Sequence, residues 1–334
     1  MTAISWTPER FHRLAEFWPT RLVLESVALN VYGELAERPL AAPELADRLG
    51  LEMRAATLFF DALAALELLH KKGERYVNCA AAKRYLVPGS ADYVGHELIA
   101  AQDAWDVWGR LPAALRSGER QREDRVFEDD PEAARHLLLA IHRRAEPRAR
   151  EMLDRGWLDL KARRRMLDLG GGIGTYSIVF CRAFPSLRCT LVDRPTAAAL
   201  ARAEISAADL EDRIEVVEGD FEAVELPPSF DVVWVSNVIH SRDATANLDL
   251  FKRVYGLLDP GGGGEVIVHD FVMEEDRTRP APGAVFSLHM LLNNGVGRSY
   301  TFGEIRGWLD AAGFKAVERI GDHRDIHSLV TGKR

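Results

Sequence analysis

The chain has 334 residues, enough for two domains or one large one, and 47% of them are apolar, enough for a substantial core. Its formal net charge of −8 argues against general affinity for nucleic acid or anionic lipid. The three cysteines show neither metal spacing nor a paired pattern, which indicates a reducing compartment. No signal-peptide pattern opens the sequence, and no apolar run approaches the ~20 residues that span a membrane, so we expect a soluble cytoplasmic protein.

The first 40 residues are predicted to form short helices. Thr7-Pro8 is typical of a helix start, with Thr7 as the cap, and Pro19 could begin a second helix. Residues 22–35 then present a broad apolar surface. Short helices can bury such a surface only against the rest of the chain or against another subunit.

Residues 39–78 are predicted to form a winged helix. A short helix ends at Gly50, a longer one spans about Arg54–Leu69, and a hairpin turns at residues 72–75. DNA binding, or a ligand-sensing regulator, has to be weighed because this topology often enters the major groove. The second helix carries one basic residue, Arg54, among apolar ones, and residues 37–75 hold seven acids and six bases. We therefore expect a packing helix and no nucleic-acid partner.

Residues 92–155 are predicted to be helical, with a charged, solvated loop at about 116–130. Trp105 and Trp108 are three residues apart and therefore share a helix face. They could pack into the core or form an aromatic wall for a flat ligand. Arg143, with Arg144 beside it, either belongs to a solvated basic face or binds a ligand carboxylate.

The stretch Met166–Gly174 predicts a short buried strand that ends in a glycine-rich turn. Gly170, Gly172 and Gly174 permit a tight turn and close approach to a ligand. The spacing differs from the G-x-G-x-x-G of dinucleotide sites, and Asp168 would repel a pyrophosphate. An acid here suits a ligand with an ammonium group and no phosphate, such as S-adenosylmethionine (SAM).

Two more acids end the next two predicted strands. Asp193 lies 19 residues beyond Gly174, where an acid can accept hydrogen bonds from both ribose hydroxyls. Asp220 follows the next strand and could accept from an adenine amino group, with Phe221 against the ring. A glycine turn alone could serve another nucleotide or no ligand, but three strand-end acids in order favour SAM.

Strands and helices alternate through the C-terminal half. Such alternation predicts a Rossmann-like, doubly wound α/β sheet with parallel strands, and ligands bind outside the carboxyl ends of such strands. The chain is predicted to close with a helix at 301–312 and a hairpin. The predicted strands are 164–169, 188–193, 213–217, 230–235 and 264–272, with the hairpin strands at 314–320 and 326–330.

A polar segment, Ser236–His240, follows a buried strand at this ligand edge. His240 is either a general base or a hydrogen-bonded structural histidine. A phenol of pKa ~10 is mostly protonated at pH 7, so a positioned imidazole of pKa ~6.5 can accelerate its reaction about 10²–10⁴-fold. Farther along, His289 and Asn293 lie on a predicted helix facing the pocket and are candidate substrate contacts.

The pattern Asp168-x-Gly170-x-Gly172-x-Gly174, followed by Asp193, Asp220-Phe221 and Asn237–His240, resembles the class I SAM-dependent small-molecule O-methyltransferases of plant phenolic and bacterial natural-product metabolism. The resemblance covers nearly the whole chain and is strongest from about residue 160 to 315. It implies SAM as cofactor and S-adenosylhomocysteine as product. It also implies an aromatic or polyketide-like small-molecule acceptor and a homodimer formed through the N-terminal domain.

The resemblance also implies roles for individual residues. His240 matches the general base, and Asp270 matches the first of two acids that orient it. Ser299 stands where the second acid is usual, which puts that part of the clamp in doubt. Ser236 occupies a position where plant members often have a SAM-contacting lysine, and Arg143 is a candidate for the methionine carboxylate.

Three segments follow from these inferences: a winged-helix dimerisation domain at 1–100, pocket helices at 101–155 and a SAM-binding catalytic domain at 156–334. The family's pocket lies between the last two, which favours Trp105 and Trp108 as a substrate wall. No metal is predicted, although His240, Asp270 and His289 could converge on one ion. C- or N-methylation, with or without a metal, and a non-methylating SAM-binding relative are the alternatives.

Overall fold

The computed structural model describes residues 6–261, 263–322 and 328–334. The chain divides into two compact units, residues 1–105 and residues 106–334. Within the described ranges, no helix combines the length and apolar character needed to cross a bilayer.

The first unit is mostly helical and contains one small antiparallel sheet, with strands in the order β1-β3-β2. Two helices, α4 and α5, precede the hairpin β2–β3. The elements are α1 (Pro8–Ala15), α2 (Trp18–Ala28), α3 (Val31–Glu34), β1 (Leu40–Ala41), α4 (Ala42–Leu49), α5 (Met53–Ala65), β2 (Leu69–Lys72), β3 (Arg75–Asn78), α6 (Ala80–Tyr85) and α7 (Gly95–Gly109), whose last residues belong to the second unit.

Helix α5 is shorter than the predicted span to Leu69. Glu67 adopts a left-handed φ of 60°, and the Leu68 N–H donates to the Leu63 carbonyl at 3.0 Å, which closes the helix. Phe60 and Leu63 are fully buried, as expected of a packing helix, while Leu58 on another face is 62% exposed.

The second unit is an α/β unit built on one large sheet. Its helices are α8 (Leu111–Ser117), α9 (Val126–Asp129), α10 (Pro131–Asp154), α11 (Thr175–Ala183), α12 (Pro195–Ala207), α13 (Ala244–Leu257), α14 (Ala281–Asn293) and α15 (Phe302–Ala312). Its strands are β4 (Arg165–Leu169), β5 (Arg188–Asp193), β6 (Ile214–Glu218), β7 (Val232–Ser236), β8 (Glu265–Asp270), β9 (Val272–Met273), β10 (Tyr300–Thr301), β11 (Lys315–Ile320) and β12 (Ser328–Lys333).

The large sheet has seven strands in the order β11-β12-β8-β7-β4-β5-β6. Strands β4 to β8 pair in parallel, and β12 pairs antiparallel with both β8 and β11. The strand order reverses beside β4, so the carboxyl ends of β4, β5 and β7 meet at the switch point where ligands bind. This confirms the predicted doubly wound α/β fold.

The closing part of the chain differs in detail from the prediction. The strand expected at 264–272 breaks at Phe271: β8 ends at Asp270, and β9 pairs in parallel with β10 in a separate two-stranded sheet. The predicted helix at 301–312 begins at Phe302, because Thr301 is its cap and forms a capping box with Glu304. Residues 326 and 327 of the predicted hairpin lie outside the described ranges.

The segment predicted as a solvated loop at 116–130 is partly built into the second unit. Residues 126–129 form the short helix α9. The backbone N–H groups of Gln121 and Arg122 donate to the Leu292 carbonyl at 2.8 and 3.0 Å, and Arg122 is only 8% exposed. Although this segment is rich in charged residues, its backbone is therefore hydrogen-bonded to helix α14.

Aromatic packing under the sheet centres on Trp234 of β7, which is fully buried. Tyr176 and Phe180 of α11 lie with their ring centroids 5.1 Å from it, and His269 of β8 stacks on it at 5.7 Å. Removing such a side chain typically costs about 3–5 kcal/mol, so this cluster fixes α11 and the glycine turn before it against the sheet.

Candidate active site

The glycine-rich turn joins β4 to α11 at the carboxyl edge of the sheet. Gly170, Gly172 and Gly174 have φ angles of 66°, 58° and 85°, in the left-handed region that glycine adopts without strain. Gly171 is required for space, because a Cβ there would lie 2.8 Å from Asp168 Cγ and 2.6 Å from Leu191 Cγ. The turn therefore presents bare backbone at the switch point.

Asp193, at the end of β5, braces this turn. Its Oδ2 accepts from the Gly172 N–H and its Oδ1 from the Arg194 N–H, each at 2.7 Å. Burial raises the pKa of Asp193, although the same two backbone hydrogen bonds oppose that rise. The carboxylate thus holds the turn at the place where a ribose contact was predicted.

Asp168 lies beneath the turn, with 1% of its surface exposed. The Ser177 hydroxyl donates to its Oδ2 at 2.5 Å. Burial raises the pKa of Asp168 to about 7; the Ser177 hydrogen bond opposes this and the nearby Asp193 adds to it. In this structure the residue predicted to face a ligand ammonium supports the turn from below.

Asp220 and Phe221 follow β6 at the same edge. Asp220 is exposed, and its Oδ1 accepts from the Glu222 N–H at 2.9 Å. Phe221 is partly buried, and its Cε1 would lie 3.6 Å from a Cβ on Gly170. The structure therefore brings the predicted adenine-binding pair beside the glycine turn.

Helix α10 packs against α11 and places Arg143 there, partly buried. Its neighbour His142, to which the sequence assigned no role, has Nδ1 2.7 Å from Thr175 Oγ1. Thr175 is the first residue of α11, so this contact ties α10 to the end of the glycine turn. The sequence did not predict this contact, because no motif or spacing links residues on two different helices.

Ser236 ends β7 and is 8% exposed. Its Oγ lies 2.8 Å from Nδ1 of the buried His269, which is also 3.3 Å from the Tyr176 hydroxyl. The Asn237 amide donates to the same Oγ at 3.2 Å. His269 therefore holds the Ser236 side chain. The sequence did not predict this role, because His269 lies in the interior of a buried strand.

His240 lies in a single 3₁₀ turn, Ile239–Ser241, just after β7. Its Nδ1 is 2.7 Å from Asp270 Oδ1, and the two side chains are 12% and 1% exposed. The same Oδ1 accepts from the Phe271 N–H at 2.8 Å. A carboxylate only accepts, so neutral His240 carries its proton on Nδ1 and keeps a lone pair on Nε2.

Ser299 does not contact His240 in place of the second acid. Its hydroxyl donates to the Gly283 carbonyl at 2.8 Å, and its N–H donates to Ser287 Oγ at 3.1 Å. It therefore fastens the chain to α14. Asp270 alone contacts the His240 ring as an acid among the described residues.

A strip of partly exposed rings extends away from His240. Phe286 meets His240 edge to face, with centroids 4.9 Å apart, and stacks on Phe271 at 4.2 Å. Phe286 also stacks on His289 at 5.6 Å, and Trp108 stacks on His289 at 6.3 Å. A flat aromatic molecule fits against such a strip.

The two predicted wall tryptophans separate. Trp108 joins the ring strip, whereas Trp105, in the first unit, has its ring 6.1 Å from that of Phe17 and 5.4 Å from the Arg21 guanidinium. One helix face carries both, but their neighbours differ. Across the described ranges, no three His, Cys, Asp or Glu side chains group as metal ligands.

A doubly wound sheet with a glycine turn and strand-end acids at its switch point is the architecture of enzymes that bind a nucleotide-like cofactor. Residues 126–315 match the O-methyltransferase domain family. A 3-hydroxy-5-methyl-1-naphthoate 3-O-methyltransferase from Streptomyces sahachiroi is 32% identical over 315 residues, covering 91% of this chain and 88% of the relative. The chain therefore belongs to the O-methyltransferase family and is a SAM-dependent O-methyltransferase.

Two further relatives agree with this assignment. A tetracenomycin polyketide synthesis 8-O-methyl transferase from Streptomyces glaucescens is 35% identical over 307 residues, covering 90% of this chain and 89% of the relative. A solved O-methyltransferase family protein from Burkholderia thailandensis has a TM-score of 0.82 at 30% identity, over 99% of both chains.

Proposed function

We propose that this enzyme methylates a hydroxyl group on an aromatic, polyketide-like small molecule, with His240 as general base and Asp270 as the residue that orients it. The 2.7 Å contact between His240 Nδ1 and Asp270 Oδ1, at one end of the ring strip, carries the proposal. The names of the Streptomyces relatives, which specify a naphthoate and tetracenomycin polyketide synthesis, support an acceptor of this class.

The glycine turn fits SAM, because its backbone is bare at the switch point and a carboxylate lies on each side of it. Gly170, Gly172 and Gly174 would let the ligand approach, and Asp193 would accept from the ribose. Asp168 would hold the turn from below through its Ser177 hydrogen bond. When bound, SAM supplies an electrophilic methyl group.

Four more residues would complete the cofactor site. Asp220 and Phe221 lie beside the turn, where they would contact the adenine. Ser236, held by His269, would contact the cofactor from the end of β7. Arg143 would bind the methionine carboxylate from α10.

His240 would take the proton of the acceptor hydroxyl on Nε2. Its other nitrogen donates to Asp270, so the ring cannot turn away without losing that hydrogen bond. Asp270 then faces an imidazolium and stabilises its charge. Trp108, His289 and Asn293 would contact the rest of the acceptor.

The test is replacement of His240 by Ala. Turnover of a hydroxyarene should fall about 10²–10⁴-fold, while the Kd for S-adenosylhomocysteine stays within about twofold of wild type. His70→Ala, in the exposed strand β2, is the matched control. Unchanged turnover in His240→Ala would remove His240 from the role of base.

N-methylation is a second candidate, because an N,N-dimethyltransferase from Streptomyces rimosus is 32% identical over 311 residues. A neutral amine has its own lone pair and does not need a base to attack. Paired assays with a hydroxynaphthalene and an aminonaphthalene distinguish the two. An amine-only activity that survives in His240→Ala would favour this second candidate.

We also propose a cytoplasmic homodimer. The N-terminal helices expose large apolar side chains: Leu14 is 70% and Trp18 74% exposed, with Trp6, Phe11 and Phe17 between 53% and 57%. A second copy would cover them. Light scattering should show that Leu14→Ser/Trp18→Ser lowers the mass to one chain, while Leu115→Ser, exposed in the second unit, does not. A wild-type monomer would contradict the proposal.

A further inference from the structure

His289 is held in one tautomer by Trp108. The indole Nε1 of Trp108 lies 3.2 Å from His289 Nδ1. An indole N–H only donates, so Nδ1 accepts, and the neutral imidazole carries its proton on Nε2. The ring therefore has a fixed donor direction.

Asn293 also contacts the His289 ring, with its Nδ2 at nearly equal distances from the two ring nitrogens, 3.3 Å from Nδ1 and 3.4 Å from Nε2. The same Nδ2 donates to the His289 carbonyl at 2.8 Å. The Arg122 guanidinium, which only donates, faces Asn293 Oδ1 at 3.5 Å. With its oxygen turned toward Arg122, the amide faces the histidine with its nitrogen, and the Trp108 hydrogen bond to Nδ1 alone sets the tautomer.

Arg122 is itself fixed. It is 8% exposed, and its Nε lies 3.1 Å from Asp124 Oδ1. The backbone N–H of Arg122 also donates to the Leu292 carbonyl, next to Asn293. The segment before α9 thus sets the orientation of a side chain on α14.

The two histidines that contact Phe286 carry their protons on different ring nitrogens. His240 gives its Nδ1 proton to Asp270 and keeps an Nε2 lone pair, whereas His289 accepts on Nδ1 and keeps an Nε2 proton. Both rings contact Phe286, His240 nearly perpendicular to it and His289 roughly parallel to it. One end of the strip accepts a proton and the other donates a hydrogen bond.

We propose that His289 is a specificity-determining residue whose Nε2–H donates to a carbonyl or carboxylate oxygen on the acceptor. The enzyme thereby selects hydroxyarenes that also carry such an oxygen over hydroxyarenes that lack it. This inference rests on the proposed function, since it takes the reacting hydroxyl to lie at His240.

The test measures binding, without cofactor, of three matched probes to the full chain by calorimetry. The probes are 3-hydroxy-1-naphthoate, the corresponding 1-acetyl ketone, and 2-naphthol, which is the same molecule without the oxygen acceptor. One lost hydrogen bond in a site built for it corresponds to about a tenfold loss of affinity. Both oxygen-bearing probes should therefore bind about tenfold more tightly than 2-naphthol.

Two variants remove the donor in different ways. Trp108→Phe keeps a ring but frees the tautomer, and His289→Phe keeps the stacking but removes both nitrogens. Each should reduce the tenfold preference to less than about threefold, while Trp157→Phe, in another part of the second unit, should keep it. Any of four results would overturn the inference. In the wild type these are equal affinity for the three probes, a preference for the carboxylate alone, or no binding of the oxygen-bearing probes. The fourth is an unchanged preference in both variants.

This experiment separates the two levels of inference. Selective binding that depends on Trp108 and His289, together with no methyl transfer to the probe hydroxyl when SAM is added, would stand against the proposed function alone. Methyl transfer without selective binding would stand against the role of His289 alone.

Discussion

Gly297 lies against the backbone of His240, so that a Cβ on Gly297 would be 1.9 Å from the His240 carbonyl oxygen. The neighbouring residues hold the same turn: the Asn294 amide donates to the Ser241 carbonyl at 3.2 Å, and the Tyr300 hydroxyl to the Arg242 carbonyl at 2.5 Å. The segment around Ser299, which lacks the second acid, thus fixes the backbone of the turn that carries His240.

Gly297→Ala should therefore displace the 3₁₀ turn that carries His240. We expect kcat to fall at least about tenfold, because misplacement of a catalytic group by about 1 Å can cost about 10²-fold. The Kd for S-adenosylhomocysteine should stay unchanged, because the glycine turn is not touched.

Gly307→Ala is the matched control for that variant. A Cβ at Gly307, on the exposed face of α15, meets no atom within 4 Å. Alanine in a helix interior is favoured over glycine by up to about 1 kcal/mol, so the control should be at least as stable as wild type. Wild-type kcat in Gly297→Ala would show that the turn tolerates the shift.

Asp270→Asn tests the charge of the orienting acid while keeping its shape. The Phe271 N–H should hold the amide oxygen where Oδ1 is now, so His240 Nδ1 keeps an acceptor but the imidazolium loses a carboxylate. We expect kcat to fall about 10–100-fold, as for the loss of a charge-assisted hydrogen bond. Steady-state kinetics beside Asp276→Asn, in an exposed loop, measures this; a loss below twofold would assign Asp270 a purely geometric role.

Much of this site could be predicted because its residues follow strands. Gly170, Asp193 and Asp270 each come directly after or at the end of a parallel strand, and such ends meet at one edge of the sheet. His240 follows the end of β7 by four residues. Sequence position therefore translates into spatial proximity there. The pairing of His240 with Asp270 could be expected for the same reason as the fold.

Asp168→Asn should change how stability depends on pH. Burial raises the pKa of Asp168 from its ordinary 3.8 to about 7, so the folded chain retains this proton between those values while the unfolded chain has lost it. The free energy of unfolding of wild type should fall as pH rises from about 4 to about 7. The asparagine variant lacks that contribution.

Thermal melting without ligand at several pH values measures the difference. The melting midpoint of Asp168→Asn should rise relative to wild type between pH 5 and pH 7 and stay constant above that. Asp154→Asn, exposed at the end of α10, should show no such trend. A constant difference at all pH values would mean that Asp168 has the same charge throughout.

Asp193→Ala should loosen the glycine turn. It removes the acceptor of the Gly172 N–H and, under the proposed function, the ribose contact. Loss of hydrogen bonds to a charged group typically costs about 1.5–3 kcal/mol, so the Kd for S-adenosylhomocysteine should rise about 10–100-fold. Calorimetry beside Asp249→Ala, on the exposed face of α13, provides the comparison; equal affinities would exclude Asp193 from the cofactor site.

The contacts that sequence did not predict lie between helices and loops. Trp105 and Trp108 share a helix face, yet only Trp108 joins the ring strip. Their spacing in the sequence predicts the shared face, but it does not predict which residues of other elements pack against each ring. His142 and His269 act through partners on other elements, and Arg122 is buried although it lies among charges. Such placements depend on tertiary contacts, which produce no periodic pattern of residues in the sequence.

Phe286 contacts both histidines, and it is itself stacked on Phe271. The two imidazoles are thus packed against one rigid side chain. Under the proposed function, only one hydroxyl of an acceptor with several would reach His240 while the acceptor also contacts His289. The enzyme should therefore give a single regioisomer, and substitution of Phe286 by a smaller or larger residue should redistribute the products.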